Sequence, residues 1–153
     1  MTTVEDRLRV IEERQALQDV LTAYCTAVDS LSDIDGLLDC FTEDAVFDLS
    51  GIHLPRFEGQ AQIRKFFHQV FADMSHHAHY NTNFAVDELS ADQASCRAYV
   101  TGMGAAKDGR SVLVYVQYHL RFARTPSGWK IKSFSESPLM PLPPEVTGIH
   151  ARG

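Results

Sequence analysis

The stretch QAQIRKFFHQVFADMSHHAHYNTNFAV, residues 60–86, decides the fold because the spacing of its apolar residues changes partway along. Residues 60–74 place apolar side chains three and four positions apart, as on one face of a helix. From His79 to Val86 the apolar and polar residues alternate, as they do in a strand. The stretch therefore predicts a helix that leads directly into a strand.

Apolar residues with helical spacing also occur before residue 60. Residues 3–29 carry an apolar stripe from Val4 to Val28, and Thr2 with Glu5 has the form of a capping box at the start of that helix. A second short helix is predicted over residues 32–40, with Ser32 as its cap, and a strand over residues 45–49. Gly51 and Pro55 mark a loop.

The alternation of apolar and polar residues continues after residue 86. Strands are predicted over residues 94–103, 111–124 and 129–134, with short turns between them. Such short connections favour an antiparallel meander. The tail, residues 136–153, is rich in proline and is predicted to run over the surface without regular structure.

Helices followed by a meander indicate an α+β domain. A curved antiparallel sheet that wraps the N-terminal helices would enclose a pocket. The sequence shows no internal repeat or linker, so we expect one domain over residues 1–153 with a core at about residues 5–135.

Composition narrows the possible partners. The formal net charge of −6 offers no basic surface, which argues against nucleic acid. The sequence has neither a membrane-spanning apolar run nor a secretion signal, so a cytoplasmic protein without membrane contact is expected. Its three cysteines, Cys25, Cys40 and Cys96, lack CxxC spacing and are interpreted as buried free thiols.

Three histidines stand close together in the sequence SHHAHYNTN, residues 75–83. His77 and His79 share one face of the predicted strand, but no third ligand occurs at a suitable spacing, so no metal site is expected. His76 and His77 are interpreted as facing water.

His79 is the candidate base. On its own, a histidine in a strand is most often a core residue, and Asp29 could merely end the first helix. A carboxylate near a helix C-terminus opposes the helix dipole, however, and so suggests either a solvated loop or a cationic partner. Asp29 could orient the imidazole of His79 and stabilise its protonated form.

A family resemblance rests on several motifs: Y-x-x-x-x-D at residues 24–29, FTEDAVF at 41–47, F-E-G-x-x-x-I-x-x-F-F at 57–67, HYNTN at 79–83 and GWKI at 128–131. Together they resemble the SnoaL-like branch of the NTF2-like superfamily. Within that branch the chain is most similar to hexachlorocyclohexane dehydrochlorinases, bile acid dehydratases and scytalone dehydratases. A late GIH, residues 148–150, adds to the likeness.

The resemblance implies a cone-shaped fold and a lyase that needs no metal or organic cofactor. By position it assigns Asp29 and His79 as a catalytic dyad and Tyr24 as an assisting group. Outward-facing apolar residues of the last long strands predict a homo-oligomer, and the resemblance favours a trimer over a dimer. Gly102 and Phe134 stand where relatives carry polar or basic groups, so the leaving group would be held differently here.

The predicted pocket is apolar and suits a small ring-containing substrate. Its expected lining comes from the third helix and two later strands: Phe66, Phe67, Val70, Phe71, Val100, Val114, Val116 and Tyr118. Because the fold also serves non-enzymes, the alternatives are a ligand-binding protein or the small subunit of an aromatic-ring dioxygenase. A ketosteroid-isomerase-like isomerase is a third possibility.

Overall fold

The computed structural model describes residues 1–150, except for the side chain of His150; residues 151–153 of the predicted tail lie outside this range. The described part of the chain contains four α-helices and six strands. The helices are α1 (Val4–Ser30), α2 (Ile34–Asp39), α3 (Gln60–Asp73) and α4 (Glu145–His150), with a 3-10 turn at Ser50–Ile52. The strands are β1 (Phe41–Asp48), β2 (Arg56–Glu58), β3 (Met74–Leu89), β4 (Gln93–Ala106), β5 (Ser111–Thr125) and β6 (Gly128–Pro138).

One curved, open sheet holds all six strands in the order β2-β1-β6-β5-β4-β3. The predicted α+β class and the meander from β3 to β6 are confirmed. The sheet is mixed rather than wholly antiparallel, because β1 pairs in parallel with β6. The sequence pattern also missed β2, a three-residue edge strand between Pro55 and Gly59.

Helix α1 begins at a capping box, but one residue later than predicted. The Thr3 hydroxyl accepts a hydrogen bond from the Asp6 backbone N–H at 3.0 Å, and the Asp6 carboxylate accepts one from the Thr3 N–H at 3.0 Å. The short helix α2 likewise uses Asp33 rather than Ser32 as its cap. At the start of both helices, the residue that follows the predicted cap also has a side-chain oxygen suited to capping. That residue accepts the hydrogen bond from the first turn.

The apolar stripe of α1 is buried only over its second half. Leu17 and Leu21 are fully buried against the sheet, whereas Val4, Leu8 and Ile11 are exposed. The N-terminal half of the helix therefore extends beyond the core of its own chain.

The C-terminal tail differs from the prediction. Instead of remaining irregular at the surface, residues 145–150 form α4, and its Val146 and Ile149 are buried. Arg110 holds this helix in place by donating a hydrogen bond to the Gly148 carbonyl at 2.7 Å. The prolines at positions 141, 143 and 144 all precede the first residue of α4. They therefore do not interrupt the helix.

Within residues 1–150, every helix is too short or too polar to cross a membrane.

Candidate active site

Two polar contacts of one aspartate join α1 to the edge strand β3. The Nδ1 atom of His79 lies 2.6 Å from Oδ1 of Asp29, and the backbone N–H of His79 donates to Oδ2 at 3.0 Å. The backbone N–H is available because β3 has only one neighbouring strand, β4. The contact expected between Asp29 and His79 is thus present across 50 residues of sequence.

This geometry fixes the tautomer of the imidazole. A carboxylate can only accept, so Nδ1 carries the hydrogen and Nε2 carries the lone pair of the neutral ring. Within the described residues Nε2 has no hydrogen-bond partner. Both side chains are largely shielded from solvent, with 17% of His79 and 28% of Asp29 exposed.

A cavity of about 100 Å³ lies beside this pair, between the sheet and the helices. Gly102 opens the wall next to His79, because a Cβ atom there would lie 3.7 Å from Nε2 and 3.1 Å from a methyl group of Val114. Glycine therefore leaves room for a ligand beside the lone pair of His79.

The cavity wall is mostly apolar. Six of the eight residues predicted to line it do so: Phe66, Phe67, Val70, Val114, Val116 and Tyr118. The other two lie outside the cavity wall. Val100 is buried in the core, and Phe71 packs against Phe67 with ring centroids 6.0 Å apart.

Tyr24 also reaches the cavity, from the helical turn before Asp29. Its ring packs among aromatic residues, with Phe134 at 5.4 Å and Tyr118 at 6.4 Å between centroids. Burial raises the pKa of Tyr24 well above its usual value, and the charge of the Glu136 carboxyl adds to this. Its hydroxyl therefore stays protonated and can act as a hydrogen-bond donor.

The chain matches the family described as SnoaL-like domain over residues 9–135. It belongs to the SnoaL-like domain family. The resemblance seen in its sequence motifs is confirmed. No curated protein matches the chain.

Three solved structures show how the SnoaL-like fold recurs. A protein from Novosphingobium aromaticivorans, provisionally named an aromatic ring hydroxylase, is 58% identical with a TM-score of 0.86, over 87% of this chain and 93% of its own. A provisionally named scytalone dehydratase from the same organism is 20% identical, with a TM-score of 0.78 over 85% and 86% of the two chains. Hexachlorocyclohexane dehydrochlorinase from Novosphingobium barchaimii is 21% identical, with a TM-score of 0.75 over 88% and 91%. The last two likenesses show the fold alone.

The histidine cluster of this SnoaL-like domain is arranged differently from the prediction. His76 is exposed, as expected, and contacts the Ser75 hydroxyl at 3.1 Å. His77 was predicted wrongly to face water: it lines the cavity, and its ring is perpendicular to that of His79 at 5.6 Å. Side chains alternate along a strand, so His77 shares a face with His79. This alternation already predicts that His77 faces the cavity.

Groups suited to holding a metal are absent from the part of the chain that the structure describes, where no three His, Cys, Asp or Glu side chains come together suitably. Metal-independent chemistry remains a prediction. The three cysteines are free and buried, as expected. Burial raises the pKa of Cys25, next to the site, to about 12, so its thiol is not a nucleophile at neutral pH.

Glu136 is a charged-type residue of the cavity wall that the sequence did not reveal. The last strand was predicted to end at Phe134, whereas β6 continues to Pro138. Two residues after Phe134 on the same strand, Glu136 has the same inward orientation. The two-residue spacing from Phe134 could have predicted this orientation. The proline-rich sequence that follows instead suggested that the strand had already ended.

Proposed function

We propose that this protein is a cofactor-independent lyase that eliminates water or a halide from a small ring-containing substrate. The observation that supports this most directly is the contact of His79 with Asp29, which leaves the Nε2 lone pair beside the cavity. The lyase names of two structural neighbours, which share only the fold, are consistent with it.

In this reaction His79 acts as the general base. Nε2 removes a proton from carbon, the electrons of that C–H bond form a double bond, and the leaving group departs from the adjacent carbon. The proton makes His79 an imidazolium, which the carboxylate of Asp29 stabilises at 2.6 Å from Nδ1. Asp29 thus acts on both the orientation and the charge of the base.

Tyr24 assists by donating a hydrogen bond to an oxygen of the substrate or to the leaving group. Its hydroxyl has no hydrogen-bond partner within residues 1–150, and its ring is held by aromatic contacts. A donor fixed in a nonpolar environment stabilises developing negative charge more strongly than water does.

The cavity limits the substrate class. Its wall is largely apolar, and its volume of about 100 Å³ suits a group about the size of one ring. Hydroxylated and halogenated single-ring compounds are therefore the first substrates to assay.

The deciding experiment compares the parent protein with His79→Ala on this panel. Removal of the base should lower turnover at least about 100-fold, which is the usual lower limit for general-base catalysis. His76→Ala is the matched control, because it removes an exposed histidine three residues away on the same strand. A His79→Ala variant as active as the parent would refute the assignment.

A second function is favoured by one specific observation, the 58% identity to the protein provisionally named an aromatic ring hydroxylase. Under this alternative the chain binds an aromatic ligand, or serves as the small subunit of a ring-hydroxylating enzyme, and His79 is not a base. Purification together with a large subunit, and ring hydroxylation that survives His79→Ala, would support this alternative against the lyase.

A further inference from the structure

Glu136 is the only carboxyl side chain that lines the cavity, as far as the described residues go. It lies on β6, opposite Tyr118 of β5 in the strand register. Within residues 1–150 its carboxyl makes no side-chain hydrogen bond or ion pair, and the described cavity wall contains neither lysine nor arginine. The carboxyl group is therefore available to a ligand.

The backbone at Glu136 is held firmly in place. On one side β5 pairs with it, and on the other the 3-10 turn Ser50–Ile52 packs directly against it. A Cβ atom at Gly51 would lie only 2.0 Å from the Glu136 carbonyl oxygen, so glycine is needed for this close approach. A group held on a rigid element in this way is preorganised for chemistry.

The surroundings of Glu136 favour its neutral form. Burial raises its pKa from 4.5 to about 8, so that at neutral pH it is mainly a carboxylic acid with one hydrogen to donate. The titratable groups that face the same interior are Tyr24 and Asp29 on α1, Tyr118 on β5, and His77 and His79 on β3. Both tyrosines stay protonated, because burial raises the pKa of each well above its usual value.

We propose that Glu136 is the proton donor that the leaving group needs, acting three strands away from the base His79. This inference rests on the proposed lyase function and adds a catalytic residue to it. It also divides the cavity chemically, with a proton acceptor at β3 and a proton donor at β6.

The complete elimination of water then balances. His79 Nε2 takes the carbon-bound proton, the C–H electron pair becomes the new double bond, and the C–O bond breaks as its oxygen takes the proton of Glu136 to leave as water. The products are an imidazolium, a carboxylate, the alkene and water. A net proton transfer from His79 to Glu136 through solvent restores the starting state.

Electrostatics couples the two proton transfers. When His79 becomes positive, its charge acts across a cavity of low polarity and favours the negative form of Glu136. Proton uptake at β3 therefore promotes proton release at β6, as expected for two interacting titratable sites.

The leaving group provides the test. Hydroxide requires a proton to depart as water, whereas chloride leaves as a stable anion. Glu136→Gln keeps the shape and can donate a hydrogen bond, but it cannot transfer a proton. We expect it to lower the dehydration rate about 100-fold or more while changing dehydrohalogenation less than about fivefold.

Controls separate this role from a merely structural one. Ser135→Ala, one residue away on the other face of β6, should leave both reactions unchanged, and Glu136→Asp should restore part of the dehydration rate. In the parent protein, dehydration should decline as the pH rises past about 8, and Glu136→Gln should lose that alkaline decline. Circular dichroism of each variant checks that it folds.

Three results would overturn the inference. Equal losses in both reactions would indicate a structural role, and full dehydration activity in Glu136→Gln alongside an inactive His79→Ala would remove Glu136 while leaving the proposed function intact. Turnover of halogenated rings alone would show that the site supplies no leaving-group proton. An active His79→Ala would instead refute the lyase itself.

A measurement without substrate tests the protonation state directly. The infrared carbonyl stretch of a protonated carboxylic acid should be present at neutral pH, disappear as the pH is raised through about 8, and be missing from Glu136→Gln. If the parent and Glu136→Gln spectra show no such difference, Glu136 is ionised and cannot be the donor.

Discussion

Asp29 accepts two hydrogen bonds from one residue: the backbone N–H of His79 donates to one carboxylate oxygen, and the ring Nδ1–H donates to the other. The aspartate therefore fixes the strand edge and the imidazole together. Asp29→Asn would keep the shape but present an amide N–H to Nδ1, which forces the hydrogen of the ring onto Nε2.

From this we predict a loss of turnover on the order of a thousandfold or more in Asp29→Asn, by analogy with other orienting carboxylates. The measurement is kcat with the best substrate of the panel. Asp35→Asn is the control, since it alters an exposed aspartate on α2. Turnover within a few-fold of the parent would show that the charge and the tautomer do not matter.

Tyr24→Phe is expected to cost less, about tenfold to a hundredfold in kcat, because it removes one hydrogen bond and keeps the ring packing. The matched change Tyr115→Phe alters an exposed tyrosine on the outer face of the sheet and should have no effect. An equal effect of both variants would contradict the role of Tyr24.

His77 and His76 should respond differently to substitution. The perpendicular contact between the His77 and His79 rings is worth about 1 kcal/mol by comparison with aromatic pairs, so His77→Ala should lower kcat/KM roughly fivefold. His76→Ala should leave kcat/KM unchanged, because its ring is exposed. The opposite order of effects would show that the His77 ring is not part of the cavity wall in solution.

Stability should depend on pH through Glu136. The unfolded chain loses this proton near pH 4.5, whereas the folded protein keeps it until about pH 8. Each rise in pH between these values therefore favours unfolding. We expect Tm of the parent to fall relative to that of Glu136→Gln as the pH rises from 5 to 8, and the difference to level off above that.

Calorimetry at several pH values measures this difference directly, with Ser135→Ala as the control that should show a constant offset. A difference between parent and Glu136→Gln that does not change with pH would mean that the carboxyl is not destabilised by burial.

A homo-oligomer is expected, with a trimer favoured by the resemblance noted in the sequence. The face of β3, β4 and β5 that points away from the cavity exposes four large side chains: Tyr80, Tyr99, Leu113 and Tyr115. Exposed aromatic patches of this kind are typical of protein interfaces. We predict that sedimentation at micromolar concentration gives an oligomer, and that Tyr80→Lys with Tyr115→Lys dissociates it.

Gln93→Lys, at the exposed start of β4, is the control and should preserve the assembly. A monomeric parent protein would contradict the prediction.

The sequence predicted those elements of the fold that depend on a local pattern of apolar residues. The helical spacing of residues 60–74 and the alternation after it gave α3 and the meander correctly. The parallel pairing of β1 with β6 joins residues 87 to 90 positions apart, from Asp48 with Ser135 to Phe41 with Ile131, and no local spacing predicts such a pairing. The capping box moved by one residue because Thr2 and Thr3 are each followed, three positions later, by an acidic residue.

The candidate site was predicted from the sequence only in part. Asp29 and His79 came from a helix-dipole argument and a family resemblance, and the structure brings the two side chains into contact. Glu136 and Val146 were missed because the proline-rich tail suggested an irregular surface segment. Both residues line the cavity because of how the chain returns to it after β5, which is a tertiary property.

The cavity wall draws residues from nearly every element of the chain, including α1, α3, β1, the four strands of the meander and α4. A bound molecule therefore contacts parts of the chain that come together only in the native state, and its binding free energy adds to the stability of the whole domain. At a concentration 100 times its Kd, a ligand should add about 2.7 kcal/mol. For a chain of this size that corresponds to a rise in Tm of roughly 5–10 °C. Thermal-shift screening of ring compounds can thus find ligands before any reaction is known.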